Sequence, residues 1–166
     1  FVVYRGLNPS SCRAGDVGEP DRVCSAADGS LFGVELASGW YSPQDASNLR
    51  KIVTDLAREG TRQTIMSSSG MTDEDLPQGV IRNPDEKLAA SLQAALESHC
   101  RKRYGVPTYL VLDGSWAPIT TANDAPKMLA GLRLPSPCPY VGVFLCLARD
   151  YAQGRVFFEV AGDPTA

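Results

Sequence analysis

Apolar residues recur along this chain with two different periods, and the changes between them mark its elements. FVVY at 1–4 is a short apolar run and reads as a strand. Residues 6–19, rich in Asn, Pro, Ser and Gly, read as a loop. DRVCSAA at 21–27 alternates and ends at Asp28-Gly29, a pair that favours a tight hairpin turn. LFGVELA at 31–37 follows as the second arm, and its continuous apolar character predicts a buried strand. After Ser42-Pro43 the period changes. Ala46, Leu49, Ile52, Val53 and Leu56 recur at helical spacing until Gly60, which predicts a helix over 44–59. Residues 61–82 have no periodicity and are expected to be irregular and mobile.

A second helix is predicted over 84–104. Asn83 is a natural cap, Pro84 suits a first turn, and Asp85 and Glu86 complement the positive end. Leu88, Leu92, Ala95, Leu96 and His99 fall on one side, and the basic run Arg101, Lys102, Arg103 precedes Gly105. TYLVLDG at 108–114 predicts a buried strand, and Asn123 or Asp124 caps a short helix through Leu132. YVGVFLCLA at 140–148 and RVFFEVA at 155–161 predict a final β-hairpin. Helical crossovers favour parallel neighbours and tight turns favour antiparallel ones. The expected fold is therefore α/β: one domain over 1–166, with a central mixed β-sheet flanked by helices.

Composition narrows the function classes. Of 166 residues, 43% are hydrophobic and 21% charged, a globular balance. The formal net charge of −3 gives no overall field that would attract nucleic acid, so any such role needs a local basic patch or a bound cation. The five cysteines show no CxxC spacing and have only His99 to join them, which argues against a zinc site and a disulfide framework. They are expected to be free thiols in a cytoplasmic protein. No run approaches the length of a membrane span. The opening FVVYRG lacks the basic start of a secretory leader, and no leader is expected.

Candidate chemistry centres on two acids. Pro20-Asp21 opens one strand, and Glu35 lies between Val34 and Leu36 in the next. A buried carboxylate in an apolar strand is costly unless paired or bound to metal, so Glu35 calls for a cation. A hairpin of this size brings Asp21 and Glu35 to one edge, where two carboxylates offer hard oxygen donors to Mg²⁺ or Mn²⁺. Such an ion polarises a phosphodiester and acidifies water.

Pro20-Asp21, Glu35 in its apolar strand, and a helix leading into YGVPTYLVLD at 104–113 resemble the PD-(D/E)XK nuclease superfamily. The resemblance covers about residues 16–115. It implies a restriction-endonuclease-like core, metal held by Asp21 and Glu35, and metal-dependent hydrolysis of DNA or RNA. One feature departs from the pattern: the lysine expected two residues after the acid is Ala37. The resemblance then needs a replacement cation, and Lys51 is assigned that catalytic role. Gln44, Arg50 and Lys87 are the other candidates. Arg101, Lys102 and Arg103 would contact phosphate, although such a run is also an ordinary solvated helix end. Asp21 also suits a plain turn, His99 a half-buried helix position, and Trp40, Tyr41 and Trp116 simple packing.

Two alternatives remain. Tyr4-Arg5-Gly6, Ser67-Ser68-Ser69 and Glu159 resemble, in order, the arginine, serine and glutamate elements of ADP-ribosyltransferases. That family uses NAD, although Phe157 stands where Glu or Gln is expected. Ala37 also fits a catalytically inactive nuclease-like module retained for binding.

Overall fold

A computed structural model describes residues 1–2, 5–40, 84–115, 120–149 and 154–160. The predicted helix over 44–59 and the irregular stretch 61–82 lie outside these residues. So do Gln44, Arg50, Lys51, Tyr4, Tyr41, Ser67, Ser68, Ser69 and Trp116. Within the described residues the fold is α/β, with a six-stranded mixed open sheet and two α-helices. The strands are β1 (Ser11–Ala14), β2 (Arg22–Ser25), β3 (Leu31–Ser38), β4 (Thr108–Asp113), β5 (Gly142–Ala148) and β6 (Arg155–Glu159). The helices are α1 (Pro84–His99) and α2 (Ala125–Gly131).

The strands lie in sequence order across the sheet. β3, β4 and β5 run parallel through the centre, joined by helical crossovers, while β1, β2 and β6 are antiparallel to their neighbours. The hairpin predicted at Asp28-Gly29 is present. Gly29 takes a positive φ of 84°, and Asp28 Oδ1 accepts from both the amide and the hydroxyl of Ser30. The predicted terminal hairpin is β5–β6.

Side chains alternate between the two faces of the sheet. Ala37, Leu110, Leu112, Val143, Leu145 and Leu147 face the helices and meet Leu88, Leu92, Leu96 and Met128. Val34, Val111 and Cys146 point to the other face, where Phe1, Tyr109 and Phe157 pack against them. Gly39 lets α1 approach the end of β3: a Cβ there would meet Leu92 Cγ at 2.5 Å.

Three sequence expectations need correction. Strand β1 falls inside the stretch read as loop. All four of its residues are exposed, so it carries no apolar period to detect. Helix α1 ends at His99 rather than at 104, and Arg101 to Tyr104 form the turn that leads into β4. The cysteines are not all free. Cys12–Cys24 and Cys100–Cys138 are disulfides, and only Cys146 remains a buried thiol. The first pair sits directly opposite in the β1–β2 register, a proximity hidden once β1 is read as loop. No helix among the described residues is long and apolar enough to cross a membrane.

The contact between Gly39 and Leu92 can be tested by double substitution. Gly39→Ala should cost about 1–3 kcal/mol through overpacking. Leu92→Ala should cost about 2–5 kcal/mol through the cavity it leaves. Chemical denaturation of the pair together should show a loss smaller than the sum, because the new methyl occupies space Leu92 vacates.

Candidate functional site around Glu35

Pro20 is fully buried and lies against β3 at Gly33. A Cβ on Gly33 would collide with the Pro20 ring and would sit 2.6 Å from Thr108 Oγ1. A Cβ on Gly15 would strike the Pro20 carbonyl, and the Gly15 amide donates to Asp21 O at 3.1 Å. Two glycines thus let the chain carrying Pro20-Asp21 lie flat on β3.

The consequence is a reciprocal clamp between the two predicted acids. The Asp21 amide donates to Glu35 Oε2 at 3.1 Å, and the Leu36 amide donates to Asp21 Oδ2 at 2.8 Å. Sequence reasoning paired Asp21 with Glu35, and the structure joins the two residues through these backbone amides. Glu35 is only 3% exposed and lies on the helix-facing side of β3, whereas Asp21 is exposed. One acid is therefore held inside while the other reaches water.

The positive partner of Glu35 comes from the turn after α1. Lys102 Nζ donates to Glu35 Oε1 at 2.5 Å, although the two residues are 67 apart in sequence. The lysine side chain remains 44% exposed, so it bridges the buried acid and solvent. His99 Nε2 lies 3.4 Å from the same oxygen, while Nδ1 lies 2.8 Å from the Ala95 carbonyl. Both ring nitrogens therefore face oxygens, one on the helix backbone and one on the buried carboxylate.

Two tyrosines close the site. The Tyr104 hydroxyl interacts with Glu35 and with Tyr140. The Tyr140 hydroxyl donates to the His99 carbonyl at 3.3 Å. Burial, and then the hydrogen bond and charge of Glu35, push the Tyr104 phenol far above its ordinary range. Burial first and the Glu35 charge second push the Tyr140 phenol up to about 12. Both phenols are thus held neutral, Tyr104 beside the carboxylate and Tyr140 as donor to the His99 carbonyl.

The other candidates are arranged differently. Lys87 is exposed on α1. The basic run divides: Arg101 is exposed, Lys102 turns to Glu35, and Arg103 Nη1 donates to the carbonyls of Cys100 and Lys102 at 2.8 Å each. Trp40 is half-buried, and its amide donates to Ser91 Oγ at 3.1 Å. Arg5 lies 5.0 Å over the Phe144 ring, and the strand partner of Phe144 is Glu159. That places both residues of the transferase alternative beside one ring, on the face away from the helices.

Sequence reasoning missed Lys102 as the partner of Glu35 and did not pair His99, Tyr104 or Tyr140 with it. The available signal was the buried acid itself, which needs a cation from whatever element covers β3.

Asp21 and Glu35 supply hard oxygen donors of the kind Mg²⁺ uses, namely one or two carboxylates completed by water and substrate phosphate. No group of three His, Cys, Asp or Glu side chains suited to a metal occurs among the described residues. The donor set thus fits an ion shared with substrate rather than one enclosed by protein. Such an ion would compete with Lys102 for Glu35.

Two outcomes follow for stability. Lys102→Met leaves Glu35 buried without its ammonium and should cost about 1–3 kcal/mol in urea denaturation. Glu35→Gln should cost less, because the half-exposed Lys102 can turn to water. The tyrosines set an alkaline limit. Their folded values lie above the ordinary 10, so their contribution is intact below pH 10. As pH rises from 10 to about 12 that contribution is lost, and Tyr140→Phe should flatten this part of a melting-temperature profile.

No protein-family model matches the chain, and neither a curated protein nor a solved structure matches it.

Proposed function

We propose that this domain is a PD-(D/E)XK-like phosphodiesterase acting on nucleic acid with Mg²⁺ or Mn²⁺, and that Lys102 serves where the motif has Ala37. The observation that carries this reading is the ammonium of Lys102 on Glu35 Oε1, beside the Asp21–Glu35 clamp. The strand order adds support, since an antiparallel β1–β2–β3 unit leads through α1 to a parallel β4, compatible with a restriction-endonuclease-like core.

Asp21 and Glu35 would hold the metal, which when bound supplies a polarised phosphate and a more acidic water. The protein groups then divide the work. The exposed stem of Lys102 allows its ammonium to leave Glu35 for the phosphate, where it would stabilise developing charge. His99, anchored on Ala95 O through Nδ1, places Nε2 beside Glu35. Tyr104 and the Asp21 amide keep the buried carboxylate hydrogen-bonded when Lys102 moves, while Tyr140 holds the His99 carbonyl. Arg101 is the exposed cation left to meet a backbone phosphate.

The two disulfides support work in an oxidising compartment, where such bonds persist, in place of the cytoplasmic location expected from sequence. The transferase alternative draws on Arg5 and Glu159 flanking Phe144, and NAD binding separates it from the nuclease reading.

Cleavage of single- and double-stranded DNA and RNA, followed with Mg²⁺, Mn²⁺ and EDTA, tests the proposal. Wild type should cut with either metal and stop in EDTA. Asp21→Asn and Glu35→Gln should abolish cutting, and Lys102→Ala should slow it by about 10²-fold. Lys127→Ala, a change at the Asp85 ion pair on the helices, should leave the rate unchanged. Full activity in Glu35→Gln would overturn the proposal.

A further inference from the structure

The residues that surround Glu35 are fastened together by one covalent bond. Cys100 directly follows His99 and precedes Lys102 and Tyr104, and Cys138 lies just before Tyr140. The Cys100–Cys138 disulfide therefore joins the turn bearing His99, Lys102 and Tyr104 to the segment bearing Tyr140. The other contacts of this turn are mostly short-range: Cys100 N donates to Leu96 O at 2.9 Å, Arg101 N donates to Ser98 O at 3.4 Å, and the Tyr104 ring lies against Tyr140. Lys102 N donates to His99 O at 2.8 Å, Arg103 caps two carbonyls, and the Tyr140 hydroxyl bonds the His99 carbonyl at 3.3 Å. Helix α1 has already ended, so its hydrogen-bond ladder does not fix Lys102.

We propose that the Cys100–Cys138 disulfide is a redox control on the Glu35 centre, which holds Lys102 against Glu35, beside His99, when oxidised and releases it when reduced. The inference rests on the phosphodiesterase reading only for its catalytic consequence. Cys138 is partly exposed and Cys100 is buried, so an external dithiol reaches the Cys138 sulfur first. Its thiolate attacks Cys138 Sγ, the S–S bond breaks, and Cys100 leaves as thiolate and takes up a proton. The second thiol of the reductant then attacks the mixed disulfide and releases Cys138. The reductant ends as a cyclic disulfide, oxidised by two electrons, and the protein gains two thiols. Cys146 stays out of this exchange, because burial pushes its thiol up to about 12 and denies it the thiolate form.

The other disulfide serves as an internal control. Cys12–Cys24 ties the exposed edge strand β1 to β2, and neither cysteine contacts the Glu35 group. The readout is also clean, because His99 is the single histidine in the chain. One imidazole signal in a proton NMR spectrum reports the site without any assay of activity.

The test uses the full chain with Cys12→Ala and Cys24→Ala, so that dithiothreitol can reduce only one disulfide. Its oxidised form should match wild type in the His99 signal and in cleavage rate. Reduction should shift the His99 signal, because Lys102 leaves the carboxylate oxygen that the imidazole faces, and lower cleavage about 10²-fold, with reversal on reoxidation. Cys100→Ala with Cys138→Ala should reproduce the reduced state permanently. Far-UV circular dichroism should show the sheet retained in both. An unmoved His99 signal after reduction overturns the proposal, and so does loss of the whole sheet, which would make the bond a general staple. If wild type cuts no nucleic acid but His99 still responds, the phosphodiesterase reading falls and the redox control stands.

Discussion

The charge of Glu35 is the constraint on which the centre of this protein depends. A carboxylate 3% exposed within an apolar strand would be strongly disfavoured alone, and the surrounding chain is arranged to satisfy it. An ammonium from Lys102, an imidazole from His99, a phenol from Tyr104 and the Asp21 amide converge on its two oxygens. They arrive from the loop before β2, from the last residue of α1 and from the turn between α1 and β4. Removing the charge at Glu35 would leave these separate pieces without a common partner.

Such arrangements rarely add stability over an apolar core of the same shape, since desolvation offsets most of the attraction. Their value lies in fixing one geometry. Here the geometry keeps the acid buried and its cation half-exposed, so the pair can exchange partners with something in solution. A fully buried lysine could not do this, and a fully exposed pair would be too loose to orient anything. The neutral Tyr104 and the Asp21 amide leave the acid with donors when the lysine turns away.

Legibility in the sequence follows the same physics. The Asp28-Gly29 turn and the apolar runs at β3, β4 and β5 carry local signals, and the sheet centre is readable from them. Asp21 and Glu35 are readable as a pair because a short hairpin fixes their register. Strand β1 is silent, because an exposed edge strand needs no apolar period and is held instead by hydrogen bonds and the Cys12–Cys24 bond. Lys102 is silent for another reason. In a basic run at a helix end it looks solvated, and its contact with Glu35 follows from α1 stopping at His99, three residues before it. Disulfide pairing depends on the fold and cannot be read from five cysteines at irregular spacing.

The central claim is that Lys102 and a divalent cation compete for the same carboxylate. Isothermal titration calorimetry with Mn²⁺ on wild type, Glu35→Gln and Lys102→Ala addresses it directly. The account predicts one site in wild type, loss of that site in Glu35→Gln, and tighter binding in Lys102→Ala, where the competing ammonium is gone. Mn²⁺ binding unchanged by Glu35→Gln, or no binding even in Lys102→Ala, would contradict it.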